Sequence, residues 1–113
     1  MNIAAENYGH AVMLKPKGDL TEDTLSVFQQ AVDHQLQNEE IVDVVLDMEN
    51  VTFVDSMALE YFLDLQDRLG KKFGQVRLAR CDPYVHKILE INRFEGQFEV
   101  FDDVSEALKA MRS

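Results

Sequence analysis

Extended, β-prone stretches at Ile3 to Tyr8 and Ala11 to Lys15 flank Gly9 and His10, a turn-like pair, and predict the two strands of a hairpin. Pro16 is expected to end the second strand. After Gly18-Asp19-Leu20, Thr21 is placed to cap a helix whose acidic start, Glu22 and Asp23, suits the positive end of the helix dipole. Leu25, Phe28, Val32 and Leu36 recur at the spacing of its buried stripe. The unbroken run Val44-Val45-Leu46, framed by Asp43 and Asp47, predicts a central strand covered on both faces. Ala58, Phe62, Leu65 and Leu69 then return to helical spacing, with Glu60, Asp64, Asp67 and Arg68 on the opposite side and Gly70 as a C-terminal stop.

Val76 to Ala79 predicts another short strand, and Asp82-Pro83 a capping acid followed by a proline in the first helical turn. Val85, Ile88 and Leu89 form the inner face of that helix. Phe98, Val100 and Phe101 predict a late strand. Asp103, with Glu106 three residues on, resembles a capping arrangement before a closing helix that buries Val104, Ala107, Leu108 and Met111. Alternating strands and helices joined by short loops imply one α/β domain over residues 1–113. Its sheet is mixed and mostly parallel, with about five strands and about four helices.

Charge narrows the partners. Eleven basic against 21 acidic residues give a formal net charge of -10, a field that repels phosphate backbones and anionic membrane surfaces. Nucleic acid is therefore excluded as an expected partner, and a basic or mixed protein surface is favoured. Met1 to Glu6 lacks the basic start and apolar core of a signal peptide, and no apolar run reaches spanning length, so a cytoplasmic protein without membrane insertion is expected. Cys81 is the only cysteine, which rules out an intramolecular disulfide and fits a reducing compartment.

Candidate chemistry is sparse. His10, His34 and His86 fall in different elements, with no pair at ligand spacing. No nucleophile elbow, phosphate-binding loop or dinucleotide fingerprint occurs, so no catalytic residue, metal or cofactor is assigned. Asp47, Glu49 and Asp55 follow the central strand, where a magnesium site of a receiver-like phosphoacceptor could stand. The acidic residues after the first strand and the lysine after a later one that such a site needs are missing around Tyr8 to His10 and Ala79 to Cys81. Asp55 and Ser56 lie between Phe53-Val54 and the periodic helix, making Ser56 its N-cap or first residue. A hydroxyl there serves either as a plain cap or as an exposed switch, since a phosphate on it would face free backbone N–H groups and a favourable dipole.

Val44-Val45-Leu46-Asp47, Val51-Thr52-Phe53-Val54-Asp55-Ser56 and Leu59 together resemble the signature of STAS domains, most closely those of bacterial anti-sigma factor antagonists. The resemblance runs nearly end to end, through Gly18-Asp19-Leu20, Pro83, Val85 and Leu89, and Phe98, Val100 and Ala107-Leu108. It implies a STAS-type fold and a partner-switching role. Ser56 would be phosphorylated by a partner that is both anti-sigma factor and serine kinase, a separate serine phosphatase would remove the phosphate, and only the unphosphorylated form would dock. The ATP would belong to the partner. The docking residues so implied are Asp19, Asp55, Ser56, Met57 and Glu60. The sequence departs from the family where Met57-Ala58-Leu59-Glu60 replaces the usual small residue and Gly-Leu-Gly, which bears on partner choice. The alternative is a STAS subunit that is never phosphorylated, such as the regulator of a lipid-transport ATPase.

Overall fold

The computed structural model describes residues 1–94 and 96–110. The hairpin forms from β1 (Asn2–Tyr8) and β2 (Ala11–Lys17), paired antiparallel with Tyr8 opposite Ala11. Gly9 has φ 66°, the conformation that a two-residue hairpin turn asks of its first central residue. Helix α1 (Glu22–Leu36) leads to β3 (Asp43–Asp47), α2 (Ser56–Gly70) to β4 (Val76–Ala79), α3 (Pro83–Ile91) to β5 (Glu99–Phe101), and α4 (Val104–Ala110) follows. The sheet order is β1-β2-β3-β4-β5, parallel from β2 onward. Each crossover thus steps to the neighbouring strand. With one handedness throughout, α1, α2 and α3 fall on one face of the sheet and leave the other to α4.

Two cores follow from that layout. The larger joins Val12, Leu14, Val44, Leu46, Val76 and Leu78 to the buried stripes of α1 and α2 and to Val85 and Leu89 of α3. Its aromatic centre is a run of edge-to-face contacts, Phe28 with Tyr61 and Phe62, and Phe62 with Phe98. On the reverse face Met13, Val45 and Ala79 meet Ala107, with Phe101, Val104 and Leu108 at the margin. Because both faces are covered at the sheet's centre, Val44, Val45 and Leu46 are all fully buried, as their unbroken apolar run predicts.

The caps and stripes of α1, α2 and α3 fall where the pattern puts them, with four corrections. Pro16 does not end β2; it lies within the strand opposite Ile3. The alternation set by the turn makes that a non-hydrogen-bonded pair, so the missing N–H points toward β3, whose pairing with β2 has already ended at Leu14. Gly70 is the last residue of α2 and not its stop. The reversal is made by Phe73, at φ 64°, before Gly74. A Cβ on Gly74 would sit 1.6 Å from the Val42 carbonyl oxygen, so close packing of this turn against the β3 entrance requires glycine. In α4 the fully buried residue is Ala107, whereas Leu108 is half-buried, because the short helix rests on the sheet along a narrow line. Phe98 is buried but precedes β5. Met111 lies outside the described residues.

Candidate functional site

The segment between β3 and α2 is fastened to the start of α1. Gly18 N–H donates to the Asn50 carbonyl (3.1 Å), Leu20 N–H to Phe53 (3.0 Å) and Asp55 N–H back to Leu20 (3.0 Å), which gives a short parallel bridge between Leu20 and Val54. Leu20, Val51 and Val54 are buried beneath it. Above it Thr52 Oγ1 donates to Asp19 Oδ1 at 3.0 Å, and Thr24 Oγ1 donates to the Asp19 carbonyl at 2.8 Å. The loop is thus a stitched platform carrying residues from two parts of the chain.

Asp55 is the N-cap of α2, and Ser56 is the first residue of that helix. One Asp55 carboxylate oxygen, Oδ1, accepts from Ala58 N–H at 2.9 Å; the other, Oδ2, accepts from Glu22 N–H at 2.8 Å, in the first turn of α1. A single side chain therefore ties together the amino ends of two helices, which gather partial positive charge at this spot. Ser56 is left exposed, and its hydroxyl bonds to nothing among the described residues.

The platform brings together all five expected docking residues. Asp19, Met57 and Glu60 are exposed around Ser56, with Asp55 partly buried between the helices. Sequence reasoning missed Phe53. The sequence sets it beside Val54 as an apolar pair, but only Val54 goes inward, while Phe53 and Met57 are each 47% exposed. Strict alternation from the buried Val51 would turn Phe53 inward and Val54 outward; the pairing of Val54 with Leu20 reverses this, so no local signal marked Phe53 as exposed. The surface around Ser56 is thus two apolar side chains set among Asp19, Glu22, Asp23 and Glu60.

The other acidic residues of the segment are engaged elsewhere. Asp47 is 1% exposed, and both of its oxygens are held by Arg80, from Nε at 3.0 Å and from Nη2 at 2.6 Å. Arg80 Nη1 reaches Glu49 at 2.7 Å, and Glu49 also takes Lys15 at 3.1 Å. The bonds to Asp47 hold the guanidinium pKa above its ordinary value. Asp47 and Glu49 thus form an ion-pair cluster with cations of β2 and the β4 exit, separate in role from the helix-capping Asp55. Among the described residues no group of three or more His, Cys, Asp or Glu could hold a metal ion. His10, His34 and His86 are all exposed, His10 with Nδ1 3.0 Å from the Glu40 carbonyl oxygen. No helix of the described residues is long and apolar enough to cross a membrane.

A mixed five-stranded sheet, three helices on one face, a short fourth on the other, and an Asp-Ser step opening the second helix define the class: this chain belongs to the STAS domain family, whose pattern matches residues 2–107. Its relatives narrow the comparison. It is 22% identical over 108 residues, 96% of this chain and 92% of the other, to an anti-sigma F factor antagonist of Paenibacillus polymyxa. Over 56 residues it is 45% identical to a STAS-domain containing protein of Pseudomonas aeruginosa (strain UCBPP-PA14); that match spans 50% of this chain and 55% of the relative. Among solved structures, the anti-sigma factor antagonist SpoIIAA in its unphosphorylated form superposes with a TM-score of 0.83 at 17% identity, covering 98% of this chain and 96% of that one. The phosphorylated form of the Bacillus protein gives 0.74 at 15% identity, covering 97% and 99%. The murine anion transporter Slc26a9 gives 0.81 at 19% identity over 95% of this chain and 18% of the transporter.

Proposed function

We propose that this chain is a partner-switching module of the anti-sigma factor antagonist type, docking through the Ser56 platform to an anti-sigma factor with serine kinase activity and released when Ser56 is phosphorylated. The observation that carries this reading is the division of labour at the start of α2: Asp55 caps the helix, and Ser56 stands exposed with a hydroxyl that bonds to nothing among the described residues. Adding a phosphate there breaks no bond. The added charge of about -1.5 to -2 is partly offset by the helix dipole, so the fold survives modification. A partner packed over Phe53 and Met57 would have to bury that charge beside Asp19 and Glu60, at a cost of several kcal/mol. The relative that carries the antagonist name supports the same reading. In this role the chain is a cytoplasmic binding protein without catalytic residues, its ATP belongs to the partner, and a serine phosphatase resets it.

The test is to phosphorylate the chain with such a kinase and ATP, confirm one phosphate at Ser56 by mass, and measure binding calorimetrically against unmodified protein. A loss of more than about a hundredfold is expected, with a melting temperature within a few degrees. Equal affinity of the two forms would reduce Ser56 to an ordinary helix residue. The second reading, a STAS regulator of a transporter such as a lipid-transport ATPase, draws on the likeness to the STAS region of an anion transporter. It predicts that protein isolated from its own host carries no phosphate on Ser56. The receiver-like alternative requires acyl-phosphate labelling of Asp47 or Asp55.

A further inference from the structure

We propose that two copies of this chain associate through β1, their outer edges pairing antiparallel about Ala5 to continue the sheet from one copy into the next. β1 is an edge strand of seven residues, and six of the seven are exposed. Ala5 and Asn7, on the side of the sheet that carries α1 to α3, are as open as Ala4, Glu6 and Tyr8 on the other, so no helix overhangs the edge. Proteins usually blunt such an edge with lysine, proline, a bulge or a covering segment. Asn-Ile-Ala-Ala-Glu-Asn-Tyr has neither lysine nor proline and pairs with β2 without a bulge at all seven positions.

The hydrogen-bonding phase selects the geometry. Tyr8 and Ala11 flank a two-residue turn and form a hydrogen-bonded pair, so bonding to β2 alternates through Glu6, Ala4 and Asn2. Ile3, Ala5 and Asn7 therefore turn their N–H and C=O groups outward. The position of Pro16 opposite Ile3, where no bond to β1 is needed, agrees with this phase. Two such edges fit each other about a two-fold axis at Ala5: Ala5 meets Ala5, Ile3 meets Asn7, and Ala4 meets Glu6 of the second copy. The one charged side chain of β1 then faces alanine, and no like charges oppose across the junction. A single strand pair is a small interface, and each copy carries a net charge of -10, so the dimer is weak and tightens as salt screens the repulsion.

The inference does not involve Ser56 and is tested on the full 113-residue chain by sedimentation velocity up to about 1 mM protein, at low and at moderate salt. A monomer–dimer equilibrium that strengthens with salt is expected. Ala5→Pro removes an outward N–H without touching a bond to β2 and should abolish the dimer with the melting temperature nearly kept. Ala4→Glu sets a second carboxylate against Glu6 of the other copy, twice per dimer, and should weaken association roughly tenfold; adding Glu6→Lys should restore it. A chain that stays monomeric throughout the range overturns the proposal. So does a dimer indifferent to Ala5→Pro, or one weakened by Ala4→Glu but not rescued by Glu6→Lys, since either places the contact elsewhere or in another register.

Discussion

At the exit of β3 and β4, and a few residues later at the entrance of α2, the chain builds two acidic sites of opposite character. In the first, Asp47 is withdrawn from water and both its oxygens are bound by Arg80, so its charge is cancelled where it stands. In the second, Asp55 spends its oxygens on backbone N–H groups and leaves the neighbouring Ser56 hydroxyl free at the surface. Asp47, Glu49 and Asp55 are close in sequence and of one chemical type, and a linear reading groups them as a possible cation site. What separates them is the partner each finds: a guanidinium from the far end of β4, or the open end of a helix. A carboxylate that meets a cation in the interior becomes structure. One that meets helix termini holds a surface in place while leaving that surface available.

The largest difference should appear in reactivity next to the closed site. Cys81 follows Arg80, and burial, with the Asp82 and Asp47 carboxylates adding to it, pushes its thiol up from 9.0 to about 12. A rise of about three pK units leaves roughly a thousandfold less thiolate at neutral to mildly alkaline pH, so alkylation should be slower than that of an unfolded control by about that factor. The same shift fixes a sign for stability. A thiol that holds its proton more tightly when folded contributes fully below pH 9, and that contribution drains away as pH rises toward 12. Tyr61, pushed from 10.0 to about 12 chiefly by burial, adds to the loss above pH 10. Rapid labelling of Cys81 in the native protein, tracked by mass, would mean that the β4 exit opens readily and the contrast is false.

Removing Arg80 tests the closed site directly. Arg80→Ala leaves Asp47 buried and unpaired, and should lower stability by about 2–4 kcal/mol, less than the full cost of breaking an interior pair because the Arg80 side chain is 34% exposed. The reverse truncation, Asp47→Asn, should cost less, since the guanidinium can keep Glu49 and turn toward water. Urea unfolding of the two variants measures the asymmetry. If Asp47→Asn proves the more damaging, Arg80 is the buried partner in energetic terms and the cluster has been assigned backward.

Much of the fold was legible because periodicity is a local property. The stripes Leu25-Phe28-Val32-Leu36 and Ala58-Phe62-Leu65-Leu69 follow from helix geometry, and Asp82-Pro83 announces a helix start wherever it occurs. The features that escaped depend on distant partners. Pro16 stays in β2 because β3 stops pairing at Leu14. Phe53 turns outward because Leu20, more than thirty residues earlier, claims Val54. Arg80 showed no local sign of its role: it is held at φ 56°, uncommon for a residue with a side chain, and its carboxylate is 33 residues away. The candidate site was legible as to place, and Ser56 stood out as the natural start of α2. That Asp55 would cap two helices at once could not be read without knowing that α1 begins beside it.

Cutting that double cap is the next test, and its expected size is smaller. Asp55→Ala orphans Ala58 N–H in α2 and releases Glu22 N–H in α1, which together should cost about 1–3 kcal/mol. Asp55→Asn should recover part of this, keeping an acceptor but losing the charge that favours two helix amino ends. Amide exchange should report faster opening at Glu22 and Ala58 in the alanine variant. Acceleration at Ala58 alone would show that the bond to α1 carries little energy and that the two helix ends are held by the Leu20 to Val54 bridge instead.

The smallest effect on stability is expected one residue on, and its smallness is the point. If Asp55 alone maintains the start of α2, then Ser56, exposed and with a side chain that makes no hydrogen bond among the described residues, contributes to folding chiefly through its intrinsic preference at the first helical position. Ser56→Ala removes a hydroxyl that no group among the described residues uses and puts in its place a better helix former, two contributions that are each a few tenths of a kcal/mol at most. The unfolding midpoint should therefore move by less than the equivalent of about 0.5 kcal/mol in either direction, while Asp55→Ala beside it moves it several times as far. Combining the two substitutions sharpens the comparison, because independent residues give additive effects and a shared cap does not. An additive double variant leaves Ser56 outside the structural network and free to be modified. A double variant markedly less stable than the sum would mean that the serine hydroxyl takes over the cap when Asp55 is gone, so that Ser56 serves the helix as a reserve as well as the surface.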